Sequence, residues 1–137
     1  MAYAILDPES SVVTCARAGH NPPALLRSGE PPGFLMPGGP ALGAADSGRF
    51  DELVERQSID LGRGDTLVLY TDGVTEAMNL EREQFGEDRL LETLGRNRDS
   101  ASARQIVDAL AGDVASFAKH ADQHDDITIV VIRVPAA

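Results

Sequence analysis

Six consecutive residues in the middle of the chain constrain the fold more than any other feature. Thr66-Leu67-Val68-Leu69-Tyr70-Thr71 contains no charged residue and no alternation of apolar and polar side chains. A strand of this kind is typical of the centre of a sheet that is covered on both faces. The sequence therefore predicts a layered structure, with other elements packed on both sides of this strand.

Strands are also predicted on either side of this run. Ala2–Asp7 and Ser11–Arg17 flank Asp7-Pro8-Glu9-Ser10, whose proline suits the second position of a turn, so the three segments predict a β-hairpin. Residues 28–48 include ten glycines and prolines and are predicted to form a loop. The other predicted strands lie at 24–26, around 34–36, at 50–61 and at 127–134.

Two helices are predicted between the central run and the last strand. Gly86–Leu94 places leucines on one face, and Gly95 is predicted to end this helix. The second helix begins at Ser102, where Gln105 completes a capping box, and its apolar residues recur at helical spacing. Turn-linked strands combined with two helices predict an α+β domain with mostly antiparallel sheets.

Composition restricts the classes of partner. The chain has 137 residues, which suits one domain or part of one, and its formal net charge is −10. This charge disfavours nucleic-acid backbones and polybasic membrane anchors, both of which need clustered Lys and Arg. The excess of acids indicates a soluble, self-repelling surface or, more specifically, carboxylates that bind metal.

Cysteine use and hydropathy bear on location. The single cysteine, Cys15, excludes an internal disulfide and a cysteine-based zinc site, and its apolar neighbours predict a small buried residue. No signal peptide is evident, and no apolar run approaches the ~20 residues that span a bilayer. We therefore expect no membrane association and a cytoplasmic location.

The central run leads directly into Asp72-Gly73. A carboxylate at the end of a rigid strand is held firmly, as a metal ligand must be, and the following glycine lets the backbone turn. The alternative interpretation is an Asx-type turn that only ends the strand. Spacing alone favours this alternative.

The second candidate site is the acidic pair Asp125-Asp126, which stands directly before the last apolar strand. Adjacent carboxylates repel each other unless a cation or a donor offsets the repulsion, and a hard divalent ion would do so. An acidic loop without a function is the competing interpretation. The histidines lack zinc-enzyme spacing; structural or solvent roles are favoured for His20 and His120, and His124, beside the acidic pair, remains open.

Four segments, taken in order, resemble the branch of the PPM (protein phosphatase 2C) family that contains bacterial sporulation protein IIE and sigma-factor regulators. Each segment alone is a weak or moderate signal, whereas four in the family's order and at about its spacing are specific. The resemblance extends over essentially the whole chain. The segments are Ala18–Leu26, Gly64–Ala77, Phe85–Leu90 and Asp125–Thr128.

The resemblance implies an α-β-β-α sandwich with two Mn²⁺ or Mg²⁺ ions in a cleft at one end. It implies that Asp72 and Asp125 are metal ligands, that the peptide of Gly73 approaches the metal site, and that Asp126 supports the ligands from behind. The implied activity is hydrolysis of phosphoserine or phosphothreonine by metal-activated water. The implied substrate is a phosphorylated anti-sigma-factor antagonist or a similar phosphoprotein.

One departure from the family pattern affects these expectations. The family's first strands, its paired inner helices and an Asp motif with further metal ligands precede the part that this chain resembles. We therefore expect residues 1–137 to form a single, incomplete phosphatase domain with about half of the metal site. We also expect an uncovered sheet that a partner or a second copy, as in a homodimer, would mask.

Two alternatives to a phosphatase follow from the sequence. A binding or dimerisation module without catalysis is consistent with the shortage of metal ligands. A haloacid-dehalogenase-type phosphatase is disfavoured, because Tyr70 occupies the position where that chemistry needs a nucleophilic aspartate.

Overall fold

The chain folds into two antiparallel sheets and a layer of helices in a computed structural model that describes residues 1–99, 102–119, 121, 123 and 125–136. The strands are β1 (Ala2–Asp7), β2 (Val12–Arg17), β3 (Ala24–Leu26), β4 (Gly33–Phe34), β5 (Arg56–Asp60), β6 (Thr66–Tyr70) and β7 (Ile129–Arg133). The helices are α1 (Ser47–Leu53), α2 (Asp72–Thr75), α3 (Gly86–Arg96) and α4 (Ala103–Ala118).

The first sheet has the strand order β1-β2-β5, and the second has the order β4-β3-β6-β7. The hairpin predicted at the start of the chain is confirmed, since β1 pairs with β2 from Ala2↔Arg17 to Asp7↔Val12. The apolar run forms β6, an inner strand between β3 and β7. All strand pairs in both sheets are antiparallel, as predicted.

The two sheets pack face to face around a small apolar core. Val13 and Cys15 of β2 and Ile59 of β5 meet Leu67 of β6 in this layer. Cys15 is 1% exposed, which confirms the small buried residue predicted for this position, and burial raises the pKa of its thiol. Because successive side chains of a strand point to opposite faces, every second side chain of β2 and of β6 lies between the sheets.

Helices α3 and α4 cover the other face of the second sheet. Their inward side chains are fully or almost fully buried against Val68 and Tyr70 of β6. Ser102 caps α4 through the predicted capping box with Gln105. Between the helices, Phe85 and Phe117 make an edge-to-face contact at 5.6 Å. The buried helix residues are Leu90, Leu94, Ile106, Leu110 and Val114.

Several predicted boundaries differ from the structure: β4 is Gly33–Phe34 rather than 34–36, β7 is Ile129–Arg133 rather than 127–134, and two larger differences have a clear cause. The strand expected over residues 50–61 is helical in its first part, because the Asp46 side chain accepts a hydrogen bond from the Arg49 amide (3.0 Å) and starts α1. Only Arg56–Asp60 forms a strand. Gly95 does not end α3, which continues to Arg96, and a Cβ on Gly95 would lie 3.3 Å from Pro32. This glycine therefore serves close packing rather than helix termination.

The first sheet presents its outer face to solvent. Tyr3 is 59% and Ile5 is 55% exposed on β1, which is also an edge strand. No helix among the described residues packs on this face, and α1 makes no extensive contact with any strand. The architecture is thus the sheet, sheet and helix layers of a sandwich. None of the described helices is long and apolar enough to cross a bilayer.

Candidate metal centre

The first acidic loop begins where β6 ends. Thr71 is extended (φ −84°, ψ 161°), and the chain then enters the single-turn helix α2 at Asp72. The Asp72 side chain is exposed, whereas Gly73, Val74 and Thr75 are buried beneath it. Asp72 Oδ1 accepts a hydrogen bond from the Gly73 amide at 3.1 Å. A buried strand and a buried turn of helix thus hold an exposed carboxylate at the rim of the sandwich.

The second acidic loop reaches the same rim because β7 pairs antiparallel with β6. Tyr70 at the end of β6 stands opposite Ile129 at the start of β7. The residues that precede β7 therefore lie beside those that follow β6. The Thr71 amide extends the ladder by donating to the carbonyl oxygen of Thr128 at 3.1 Å.

The two loops touch at Gly73. A Cβ on this residue would lie 2.5 Å from the carbonyl oxygen of Asp126 and 3.3 Å from that of Asp125. Both neighbours are backbone atoms, which cannot rotate away as a flexible side chain could. Only glycine permits this approach. The structure therefore brings together the two segments that the sequence analysis singled out separately.

Local hydrogen bonds shape the second loop. The Asp126 amide donates to Oδ1 of Asp125 at 2.7 Å, and the Gln123 side-chain amide donates to the carbonyl oxygen of Asp125 at 2.8 Å. The side chains of Asp125 and Asp126 are exposed. Asp125 Oδ1 thus has the same arrangement as Asp72 Oδ1, in which each accepts the amide of the following residue. His120 and His124 lie outside the described residues.

A supporting contact comes from the turn at residues 18–23. The Asn21 side-chain amide donates to the Thr75 hydroxyl at 3.3 Å, and that hydroxyl donates to the carbonyl oxygen of Asp72 at 3.3 Å. Arg17 fixes the turn by donating to the carbonyl oxygen of His20 at 2.9 Å. The His20 ring lies 3.2 Å from the carbonyl oxygen of Asn21. The sequence alone does not predict the supporting roles of Asn21 and Thr75, although both lie within the segments that carry the family resemblance.

The donor set suits a hard divalent cation. Carboxylate and carbonyl oxygens are the ligands that Mg²⁺ and Mn²⁺ prefer, and the rim offers the exposed carboxylates of Asp72 and Asp125 on two loops that touch at Gly73. Among the described residues, however, no group of three or more His, Cys, Asp or Glu side chains could hold a metal ion. The rim therefore fits part of a metal shell rather than a complete one.

A groove opens beside the two loops. Its volume is about 520 Å³, and Gly73 and Asp125 are among the residues that line it. Its walls are mainly small and apolar side chains of α4 together with Met78 and Ile127, and its charged residues are Glu76, Lys119 and Asp125. The candidate centre thus adjoins an apolar depression of the size of a small ligand site.

Solved structures define the class to which this fold belongs. The PP2C domain of SiaA from Pseudomonas aeruginosa matches 96% of the chain with a TM-score of 0.79 and 22% identity. The phosphatase domain of the cell fate determinant SpoIIE from Bacillus subtilis, in Mn-presoaked crystals, matches 98% with a TM-score of 0.71 and 22% identity. The fold is that of PP2C phosphatase domains, and the chain covers 50% and 56% of these two structures.

Sequence comparison gives the family. The family described as Stage II sporulation protein E (SpoIIE) matches residues 1–135. Protein IcfG from Synechocystis sp. is 30% identical over 130 residues, which are 95% of this chain and 20% of that protein. The chain belongs to the SpoIIE family, and it spans about a fifth of the curated relative that it matches.

Proposed function

We propose that this chain contributes part of the divalent-cation centre of a protein serine/threonine phosphatase, with Asp72 and Asp125 as ligands of Mn²⁺ or Mg²⁺. The observation that carries the proposal is the backbone contact at Gly73, which brings the Asp72 and Asp125 loops to one rim of the sandwich. The antiparallel pairing of β6 with β7 sets the two loops side by side, and the Gly73 contact packs them closely against each other. Such close packing supports two turns that face one ion.

The carboxylates of Asp72 and Asp125 would hold the ion, with the Gly73 peptide beside it and Asp126 behind. When bound, such an ion lowers the pKa of a water molecule and offsets the charge of a phosphate group. The chain's own part is to hold both carboxylates exposed on rigid supports, β6 and the start of β7. Family membership and the PP2C fold support this assignment.

The remaining ligands belong, in this proposal, to polypeptide other than the described residues, supplied by a further segment or by a second copy. Residues 1–137 would then be a single, incomplete phosphatase domain. The shortage of a third acidic or histidine ligand among the described residues supports this division of the site.

We further propose that the substrate is a protein that carries phosphoserine or phosphothreonine, such as a phosphorylated anti-sigma-factor antagonist. The proposed location is the cytoplasm. An acidic chain with formal charge −10 accepts a phosphate dianion only where bound cations offset the repulsion. The same charge disfavours nucleic acid and anionic membranes as partners.

The experiment is hydrolysis of a phosphoserine peptide by the chain with and without Mn²⁺, beside Asp72→Asn and Asp125→Asn. Asp51→Asn is the matched control, because Asp51 is an exposed aspartate of α1 and lies outside both acidic loops. Turnover that depends on Mn²⁺, persists in Asp51→Asn and disappears in the other two variants supports the proposal. Turnover that survives Asp72→Asn contradicts it.

A binding or dimerisation module is the second candidate. The exposed apolar side chains of Tyr3 and Ile5 on the edge strand β1 favour it, since a partner sheet or a second copy could cover them. Mn²⁺ binding without turnover is also expected of an incomplete metal centre, whereas a chain that dimerises but does not bind Mn²⁺ would favour this candidate. If the chain shows neither Mn²⁺ binding nor turnover, the proposed metal centre is refuted.

A further inference from the structure

We propose that the Thr71 hydroxyl is a positioning group that fixes the Asp72 and Asp125 loops relative to each other, so that both carboxylates can face one cation. The inference rests on the proposed function. It concerns a residue that contributes no metal ligand of its own.

Thr71 joins the loops through three hydrogen bonds. Its amide donates to the carbonyl oxygen of Thr128 at 3.1 Å. Its hydroxyl accepts from the Thr128 amide at 2.9 Å and donates to the carbonyl oxygen of Asp126 at 2.8 Å. The Thr71 hydroxyl thus binds the backbone of the opposite loop on both sides of Ile127.

The hydrogen bond from the Thr71 hydroxyl to Asp126 lies at the close approach of Gly73. The carbonyl oxygen of Asp126 that accepts the Thr71 hydroxyl is the atom that a Cβ on Gly73 would approach to 2.5 Å. The hydroxyl therefore holds in place the same backbone oxygen for which Gly73 leaves room. One residue on each side of Asp72 acts on the peptide that follows Asp126.

The charge of the loops explains why such a link is needed. Asp72, Asp125 and Asp126 carry like charges at one rim, and repulsion pushes carboxylates on separate loops apart when no cation is bound. Backbone pairing between β6 and β7 ends at Tyr70 and Ile129. Beyond that pair, the bonds of Thr71 are the nearest restraint on the spacing of the two loops.

The substitution that isolates this role is Thr71→Val, which keeps the shape of the side chain and removes the hydroxyl. Thr71→Ser keeps the hydroxyl and should restore the link. Removing a group that orients metal ligands typically weakens metal affinity by about 10–100-fold. We expect a loss in this range for Thr71→Val and less than about a twofold loss for Thr71→Ser.

The control is Thr14→Val, because the Thr14 hydroxyl makes a 2.8 Å hydrogen bond to Ser58 in the first sheet. This change removes one threonine hydroxyl from a strand pair without touching the acidic loops. We expect Thr14→Val to leave the metal affinity unchanged. A loss of affinity in both valine variants would indicate general destabilisation and would overturn the proposed role of Thr71.

The assay is a Mg²⁺ titration of the ¹⁵N-labelled chain, in which the amide shifts of the Asp72 and Asp125 loops give a dissociation constant for each loop. The inference predicts equal constants in the wild-type chain, weaker binding in Thr71→Val, and recovery in Thr71→Ser. Thr71→Ala is a second variant without the hydroxyl, should the valine variant not fold.

The outcomes separate the two proposals. Wild-type affinity in Thr71→Val or Thr71→Ala overturns the positioning role and leaves the metal centre intact. Absence of any Mg²⁺-dependent shift in the wild-type chain refutes the metal centre and the positioning role together. Weakened binding in Thr71→Ser equal to that in Thr71→Val also contradicts the inference, because a variant that keeps the hydroxyl would then bind no better than one that lacks it.

Discussion

Gly73→Ala is the perturbation that tests the contact between the two acidic loops most severely. Gly73 lies within the short helix α2, and it is not among the glycines with positive φ. In an ordinary helix position, alanine is more favourable than glycine by roughly 0.5–1 kcal/mol, because glycine loses more backbone entropy on folding. Propensity alone would therefore make Gly73→Ala a stabilising substitution.

The packing reverses this expectation. The new Cβ would stand 2.5 Å from the Asp126 carbonyl oxygen and 3.0 Å from its carbonyl carbon, so the backbone of one loop must move. Insertion of one methyl group into a tightly packed position costs roughly 1–3 kcal/mol. Subtracting the propensity gain leaves a net destabilisation of about 0–2.5 kcal/mol. We expect a value in the upper half of that range, because backbone atoms yield less readily than side chains.

Gly112→Ala provides the matched control. Gly112 lies in α4, and a Cβ there would meet nothing within 4 Å. The propensity gain should therefore appear in full, as about 0.5–1 kcal/mol of added stability. Both substitutions add one methyl group to a helical glycine, and the space around that methyl group is closed at Gly73 and open at Gly112.

Urea unfolding followed by circular dichroism measures both free energies of unfolding. The account predicts opposite signs for the two variants, with Gly73→Ala less stable and Gly112→Ala more stable than the wild type. Equal stabilisation of both variants would refute the close contact between the loops, and with it the main structural support for a shared metal site.

Further substitutions test the buried tyrosine of β6 and the cap of α4. Tyr70 is 2% exposed, and its hydroxyl has no hydrogen-bond partner among the described residues. Tyr70→Phe should therefore raise the free energy of unfolding by about 1 kcal/mol. A lower free energy of unfolding in urea would contradict this prediction. Burial, followed by the charge of Glu87, raises the pKa of Tyr70, so the wild type should lose stability as the pH rises above about 10, and Tyr70→Phe should lose less. Ser102→Ala should cost about 1 kcal/mol, because Ser102 caps α4, whereas Ser116→Ala at an exposed position within α4 should be nearly neutral or slightly stabilising by thermal unfolding.

Sequence patterns predicted the second sheet and its helices well, for physical reasons. The uninterrupted apolar run predicts a strand covered on both faces, and β6 lies between β3 and β7 with the first sheet on one side and α3 and α4 on the other. The capping box at Ser102 is a local signal, and local signals are readable without tertiary information. The same is true of the hairpin between β1 and β2, whose turn has distinctive residues.

One of the two larger errors has a distant contact as its cause, and the other has a local helix cap. Gly95 has the local character of a helix stop, yet the approach of Pro32 gives it a packing role that no neighbouring residue reveals. The start of α1 depends on Asp46, a cap that could have been read from the sequence. The roles of Thr71, Thr75 and Asn21 depend on hydrogen bonds between residues 54–57 positions apart, such as that from Asn21 to Thr75, which spacing along the chain does not show.

The candidate ligands themselves came from sequence resemblance, whereas their juxtaposition came from the structure. Asp72-Gly73 and Asp125-Asp126, each taken alone, are better explained as ordinary turns. The register between β6 and β7 and the missing side chain of Gly73 place the two loops at one rim. A metal role for Asp72 and Asp125 stays a prediction until binding is measured.

Calorimetric titration of Mn²⁺ into the wild-type chain, Asp72→Asn, Asp125→Asn and the double variant tests the central claim most directly. Ligands of one ion act as a unit, so their losses are not additive. The account predicts that each single substitution removes most of the affinity and that the double variant is little worse than either one. Small, additive losses, or wild-type affinity in both single variants, would contradict a cation shared by Asp72 and Asp125.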